Sequence, residues 1–160
     1  MDSAVRPARM SDADDVARLT VELGYDADAA SIARRLSRLL SRPDQQFFVA
    51  GDEGRVVGWV HVFIAEYVEL DPFVVIGGLV VDRAYRRQGI GRLLMEHAER
   101  WAKENSCSIV RLWSTISRTG AHEFYQELGY AKVKTQHSFA KSLDESGIDG
   151  LSRFVPRVDE

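Results

Sequence analysis

The chain has 160 residues, 45% of them hydrophobic and 28% charged, which suits one soluble domain with enough apolar side chains for a core. Its formal net charge of −3 speaks against nucleic acid as a partner, and its single cysteine, Cys107, excludes an internal disulfide or a cysteine-built zinc site and reads as a small buried thiol. No apolar run reaches membrane-spanning length and residues 1–10 lack the apolar stretch of a signal peptide, so a cytoplasmic protein with no membrane partner is expected.

Residues 3–7 read as a short first strand. Ser11 has the character of an N-cap, with Asp14 as its acidic partner. Val16, Leu19, Thr20 and Leu23 then recur at helical spacing until Gly24 stops the run. Ile32, Ala33, Leu36, Leu39 and Leu40 form one face of a second helix that ends before Pro43. Strands are expected over 46–50 and 55–65, joined by a turn at 51–54. In the second of these, Val57, Trp59, His61 and Phe63 share one face and Val60, Val62 and Ile64 the other. Apolar side chains on both faces mark a central strand.

Residues 66–72 read as an acidic loop and 73–81 as the most apolar strand. From Gly89 a clean amphipathic helix follows, with Ile90, Leu93, Leu94, Ala98, Trp101 and Ala102 inward and Arg92, Glu96, Glu99, Arg100 and Lys103 outward. A strand over 108–114, a short helix over 121–128 closed by Gly129, and a last strand over 130–142 complete the pattern. Strands on both sides of a crossover helix give a mixed α/β (α+β) sheet protein. One domain spans 1–143. The remainder, 144–160, carries Ile148, Leu151, Phe154 and Val155 among Gly147, Gly150 and Pro156, and reads as an extension docked on the domain or on a partner chain.

The chemistry is concentrated between Leu79 and Leu94, where a buried strand turns into a helix. Amides at a helix start have no partner within the helix and lie at the positive end of its dipole. Gly89 and Gly91 take away side chains that would hold a phosphate off those amides, while Arg86, Arg87 and Arg92 add charge. Such a turn binds an anion, above all a diphosphate. A dinucleotide loop would place a third glycine where Leu94 stands, and a nucleotide triphosphatase loop would close on Lys-Ser/Thr rather than Gly91-Arg92-Leu93. What remains is Arg86-x-x-Gly89-x-Gly91.

That segment resembles the acetyl-CoA-binding motif of the GNAT superfamily of N-acetyltransferases. Arg118-x-x-Ala121-His122-x-Phe124-Tyr125-x-x-x-Gly129-Tyr130 is similar to the second cofactor motif of the same family, and the elements stand in the family's order from about Val5 to Leu143. The resemblance implies a twisted mixed sheet of six or seven strands with about four helices, whose 73–81 and 108–114 strands splay apart. It implies acetyl-CoA as co-substrate. Main-chain groups of Leu79, Val80 and Val81 would meet the pantetheine arm and the thioester carbonyl. Arg86, Arg87, Gln88, Gly89, Ile90, Gly91 and Arg92 would surround the pyrophosphate, with Arg118, Ala121, Phe124 and Tyr125 completing the cofactor site. The family's asparagine is replaced by Arg118, which suits a phosphate contact.

For chemistry, Tyr125 matches the tyrosine that protonates the departing thiolate, and the Leu79 amide stabilises the oxyanion. The strand glutamate that many members use as base is absent, since Val74, Val75, Ile76, Gly77 and Gly78 occupy that stretch. Glu69, Glu66, Asp71, Glu22 and His61 are the alternatives, beside no dedicated base at all. Glu22, Tyr25, His61, Glu66, Glu69 and Ser114 are expected to line the acceptor site. The acidic rim of Glu22, Glu66, Glu69 and Asp71 suits a small cationic amine. The second motif, with His137-Ser138-Phe139-Ala140-Lys141, is similar to a branch acting on aminoglycosides and aminoalkylphosphonates, with His122 and His137 as further candidates at the acceptor. Peptide acetylation and non-catalytic acetyl-CoA sensing are the other readings, no metal is expected, and the family's habit suggests a homodimer.

Overall fold

The structure is a computed structural model that describes residues 4–52 and 54–157. Ser3 of the first expected strand, Glu53 of the expected turn and the last three residues of the extension lie outside the described residues. Five strands form one sheet in sequence order: β1 (Ala4–Pro7), β2 (Gln45–Asp52), β3 (Arg55–Tyr67), β4 (Leu70–Val81) and β5 (Val110–Arg111). The first four are antiparallel neighbours, and β5 lies parallel to β4.

Helices α1 (Ala13–Glu22) and α2 (Ala29–Leu40) cover one face, burying Val16, Leu19, Ile32 and Leu36 against Phe47, Val49, Trp59 and Val80. Helix α3 (Ile90–Glu104) covers the other, with Leu94, Met95 and Ala98 at 0% exposure against Val60, Val62, Val74 and Ile76. Two-sided burial is what the apolar β3 and β4 require. Trp59 faces α1 and α2 as the alternation predicts, whereas Val57 joins the α3 core, because the β2–β3 register shifts there: Ala50 pairs with Gly58 and Gly51 with Val56, leaving Val57 as the extra residue. Cys107 is buried in the α3 core, as expected of a small thiol. Helix α4 (Thr119–Glu127) follows β5, and its end is fastened to α3 by the Tyr130 hydroxyl donating to Glu99 at 3.0 Å.

Local chemistry differs from the sequence expectation at several places. Ser11 caps nothing: Met10–Asp12 is a 3₁₀ turn, and Asp12 accepts from the Arg9 amide and from both Arg6 nitrogens, each at 2.8 Å. The expected acidic loop over 66–72 is a tight hairpin, since Tyr67 pairs with Leu70 and stacks edge-on with Phe73. Strand pairing of 108–114 shrinks to Val110–Arg111. Residues 130–142 form no strand among the described residues, and Val133 and Phe139 are 80% and 92% exposed. Alternation specifies a strand only where an edge is offered, and no edge reaches these residues in the single chain. Among the described residues the sheet therefore has five strands rather than six or seven.

Candidate functional site

The site begins with the direction of the β4 main chain. The Asp82 amide donates to the Val57 carbonyl at 2.7 Å. Hydrogen-bonded and non-bonded pairs alternate along an antiparallel ladder, so Val80 and Gly78 bond β3 while Leu79 and Val81 turn their N–H and C=O groups away from it. The outward carbonyl of Val81 is taken at 3.0 Å by Arg86 Nε. On that outer side β5 accompanies β4 only at Val74 and Val75. Beyond them the two strands part, and the outward groups of Leu79 face the gap. Val80, expected at the cofactor, instead bonds β3 and buries its side chain under α1 and α2.

The end of β4 is held by α1. Asp82 is 5% exposed, accepts from Ala84 N at 3.0 Å and from Arg18 Nη1 at 2.7 Å, and Arg18 Nη2 reaches the Val56 carbonyl. Burial raises the Asp82 carboxyl's pKa, but the Ala84 amide and the Arg18 guanidinium outweigh it and hold the group below the usual range. Glu22 accepts from the Arg83 amide at 3.0 Å and lies 3.9 Å from Arg18 and from Arg86. It braces the turn rather than the acceptor site. Arg18 and Asp82 escaped the sequence reading; an aspartate between a strand end and a helical turn was the available signal.

Past the 3₁₀ turn Arg83–Tyr85, the chain enters α3 through Arg87 at φ 60 and Gly89 at φ 83. Among the described residues, no main-chain amide from Arg87 to Arg92 finds an acceptor within the protein. Gly89 has open space around it and is needed for its left-handed backbone. Gly91 serves packing: a Cβ there would stand 3.2 Å from the Phe124 ring of α4. Ile90 is buried, while Arg87, Gln88 and Arg92 are exposed. A run of unpaired amides at a helix start fits a diphosphate, and the gap beside Leu79 fits an extended arm.

The gap opens into a cavity of about 310 Å³ between β4, α1, α2 and α4. Tyr25, His61, Leu79, Arg118 and Tyr125 of the expected residues line it, with Trp59, Gly77, Gly78 and Arg35. Tyr125 packs edge-on against Phe124 and Tyr130, and its phenol is pushed up by burial against the opposing pull of Arg118. His61 ring atoms stack between Phe47 and Phe63. Its Nε2 is 2.6 Å from Gln45 Oε1, an acceptor, so Nε2 carries the hydrogen and Nδ1 the lone pair. The β4 bulge falls at Gly77, where a Cβ would lie 2.7 Å from that Nδ1, while a Cβ on Gly78 would lie 2.8 Å from the Trp59 ring. These contacts leave no room for a carboxylate side chain at Gly77 or Gly78.

Several expected acceptor residues are elsewhere. Glu66 and Glu69 are exposed at the far end of the β3–β4 hairpin with Asp71; at roughly 3.3 Å per strand residue, Glu69 is about 30 Å from Leu79. Ser114 does not line the cavity, and its buried hydroxyl has no partner among the described residues. His122 Nε2 bonds the Thr115 carbonyl, and His137 sits with Phe139 in the exposed 130–142 segment. Ala121 is half-buried near the start of α4. The extension returns to the cavity: Pro156 lines it, and the Arg157 amide donates to Gly24 at 2.7 Å. Among the described residues no group of three metal-ligating side chains occurs, and no helix is long and apolar enough to cross a membrane.

A model of the Acetyltransferase (GNAT) family matches residues 13–130. The aminoglycoside N(6')-acetyltransferase type 1 of Acinetobacter haemolyticus is 25% identical over 88% of this chain and 99% of its own length. An N-acetyltransferase of Chlorobaculum tepidum is 30% identical over 85% of this chain and 80% of its own. The crystal structure of an aminoglycoside antibiotic 6'-N-acetyltransferase from Acinetobacter haemolyticus shares the fold, with a TM-score of 0.77 at 24% identity over 88% of this chain and 99% of that one. With most of its length inside the family match, and with the amide turn and splayed strands in place, the chain belongs to the GNAT family and is an N-acetyltransferase that uses acetyl-CoA as co-substrate.

Proposed function

We propose that the acceptor is a primary amine of a small molecule, bound in the 310 Å³ cavity, with Tyr125 as acid and His61 as base. The observation that carries this reading is that Leu79, Tyr125 and His61 line one cavity. Acetyl-CoA supplies a thioester whose acyl group passes to the amine as a thiolate departs. The amides of Arg87 to Arg92 hold a diphosphate, and the Leu79 N–H donates to the oxygen that gains charge. His61 Nδ1 takes the proton of the amine, and Tyr125 Oη gives one to the sulfur. A cavity of this size suits a small acceptor, whereas a peptide needs an extended groove.

Thiol release with acetyl-CoA and a panel of small amines and peptides tests the reading; turnover confined to peptides contradicts it. Burial lowers the His61 pKa to about 4, so the ring is neutral above pH 5; a base this weak acts on the proton of the amine only as the C–N bond forms and the nitrogen turns acidic. His61→Gln is therefore expected to lower kcat by about 10²-fold or more, and wild-type kcat is expected to show no step near pH 6.5, the ordinary imidazole value. A step there contradicts the assignment.

We further propose that a second copy of the chain covers residues 130–143, where Val133, Phe139 and Leu143 are 80%, 92% and 92% exposed. A strand-patterned segment without an edge is completed by a partner. Light scattering is expected to give twice the 18.0 kDa chain mass and a monomer for Phe139→Glu/Leu143→Glu; a wild-type monomer contradicts the dimer.

A further inference from the structure

The charges around the cavity are of one sign. Among the described residues its lining contains no carboxylate, and its two basic side chains besides His61 are Arg35 on the α2 wall and Arg118 at the start of α4. Helix α2, Ala29–Leu40, carries Arg34, Arg35 and Arg38 and no acid. Arg34 donates to Ser31 Oγ, whereas among the described residues Arg35 has no hydrogen bond or ion pair. The acids of the α1–α2 loop are engaged elsewhere: Asp28 accepts from Ser31 N and Oγ, both at 2.8 Å, and Asp26 pairs with Arg157 at 3.0 Å.

The rest of the lining is apolar, including Leu23, Ile32, Leu36 and Trp59. An unpaired guanidinium at the wall of a largely apolar cavity repels a polycation and attracts an anion. A planar fork with free donors matches one carboxylate in two-point geometry. One guanidinium balances the single charge of a carboxylate and leaves a dianionic phosphate half neutralised. Trp59 Nε1, buried and without a partner among the described residues, is a second donor in the lining.

On the transferase reading given above, we propose that the acceptor is an amine that also bears a carboxylate on an apolar body, the carboxylate held by Arg35 while the amine faces Gly77–Leu79 and His61. Arg35 is then the residue that sets acceptor charge. This replaces the small cationic amine suggested by Glu22, Glu66, Glu69 and Asp71, none of which lines the cavity.

The test compares acceptors in pairs that differ only in the carboxylate: phenylalanine with phenethylamine, leucine with isoamylamine, 6-aminohexanoate with hexylamine, and spermidine as the polycation. Thiol release from acetyl-CoA is the readout. In at least one pair kcat/KM is expected to be ten-fold or more higher for the carboxylate-bearing member. Arg35→Gln is expected to bring that ratio close to one, and Arg35→Lys to keep part of it; the residue is exposed on α2, so both variants should fold. A ratio that survives Arg35→Gln, plain amines equal to or better than their partners in every pair, or spermidine as the best acceptor overturns the proposal. So does an inert panel with a protein whose melting temperature still rises in acetyl-CoA. Loss of that rise would instead strike the transferase reading itself.

Discussion

Tyr125→Phe is expected to lower kcat by about 10²–10⁴-fold, the usual worth of a positioned general acid, while leaving the melting temperature almost unmoved. The substitution removes one oxygen from a ring whose packing is aromatic, against Phe124 at 5.2 Å and Tyr130 at 6.0 Å between centroids. Among the described residues no hydrogen bond engages that oxygen, so no protein partner is left unsatisfied by its loss. Burial raises the Tyr125 pKa, with Arg118 pulling the other way. The phenol therefore keeps its proton at neutral pH and can donate it in a hydrogen bond to the sulfur as charge builds there. Single-turnover kinetics with acetyl-CoA and a responsive amine is the measurement. An unchanged rate would mean that water protonates the thiolate and that the ring serves only to pack α4.

Leu94→Ala is expected to cost about 2–5 kcal/mol, the range for emptying a buried leucine site. Leu94 is at 0% exposure in the α3 core, and its Cδ1 lies 3.2 Å from where a Cβ on Gly58 would stand. Strand β3 thus already runs so close beneath α3 that the sheet has little room to collapse into the cavity. For a chain of this length each kcal/mol moves the melting temperature by roughly 2–4 °C, so calorimetry should find a fall on the order of 5–15 °C. Because α3 also carries the amide turn at its N-terminus, saturating acetyl-CoA should recover about 2.7 kcal/mol at a hundred-fold excess over Kd. A cost below about 1 kcal/mol, the level of a volume-conserving swap, would contradict the tight β3–α3 packing.

The parts of this protein that sequence exposes are those whose meaning is local. Arg86-x-x-Gly89-x-Gly91 sits between an apolar strand and an amphipathic helix, so the turn, the helix start and the free amides all follow from neighbouring residues. Helix periodicity likewise located α1, α2 and α3. Residues whose role depends on distant partners were hidden. Gly91 looks like a phosphate glycine until Phe124, thirty-odd positions on, is seen against it. His61 is one apolar-strand histidine among alternatives until the Gly77 bulge is placed opposite its Nδ1 and Gln45 behind its Nε2. The acids at 66–71 look like a rim because a loop can fold back, but strand pairing carries β3 to Tyr67 and holds them at the hairpin's far end. The segment over 130–142 alternates like a strand, yet alternation says nothing of whether an edge is there to receive it. Arg35 was invisible for a further reason: on a helix wheel it is one more outward cation, and only the cavity shows which way it matters.

The claim on which the rest depends is that the unpaired amides from Arg87 to Arg92 hold a diphosphate. The most direct measurement is the melting temperature with and without acetyl-CoA, in the wild type and in Gly89→Asp. That position has open space around it but needs φ 83, so the variant disturbs the turn and adds a negative charge without opening the core. A rise in the wild type that disappears in Gly89→Asp, with the folded variant otherwise intact, is the result expected. An equal rise in both proteins, or none in the wild type, would contradict it.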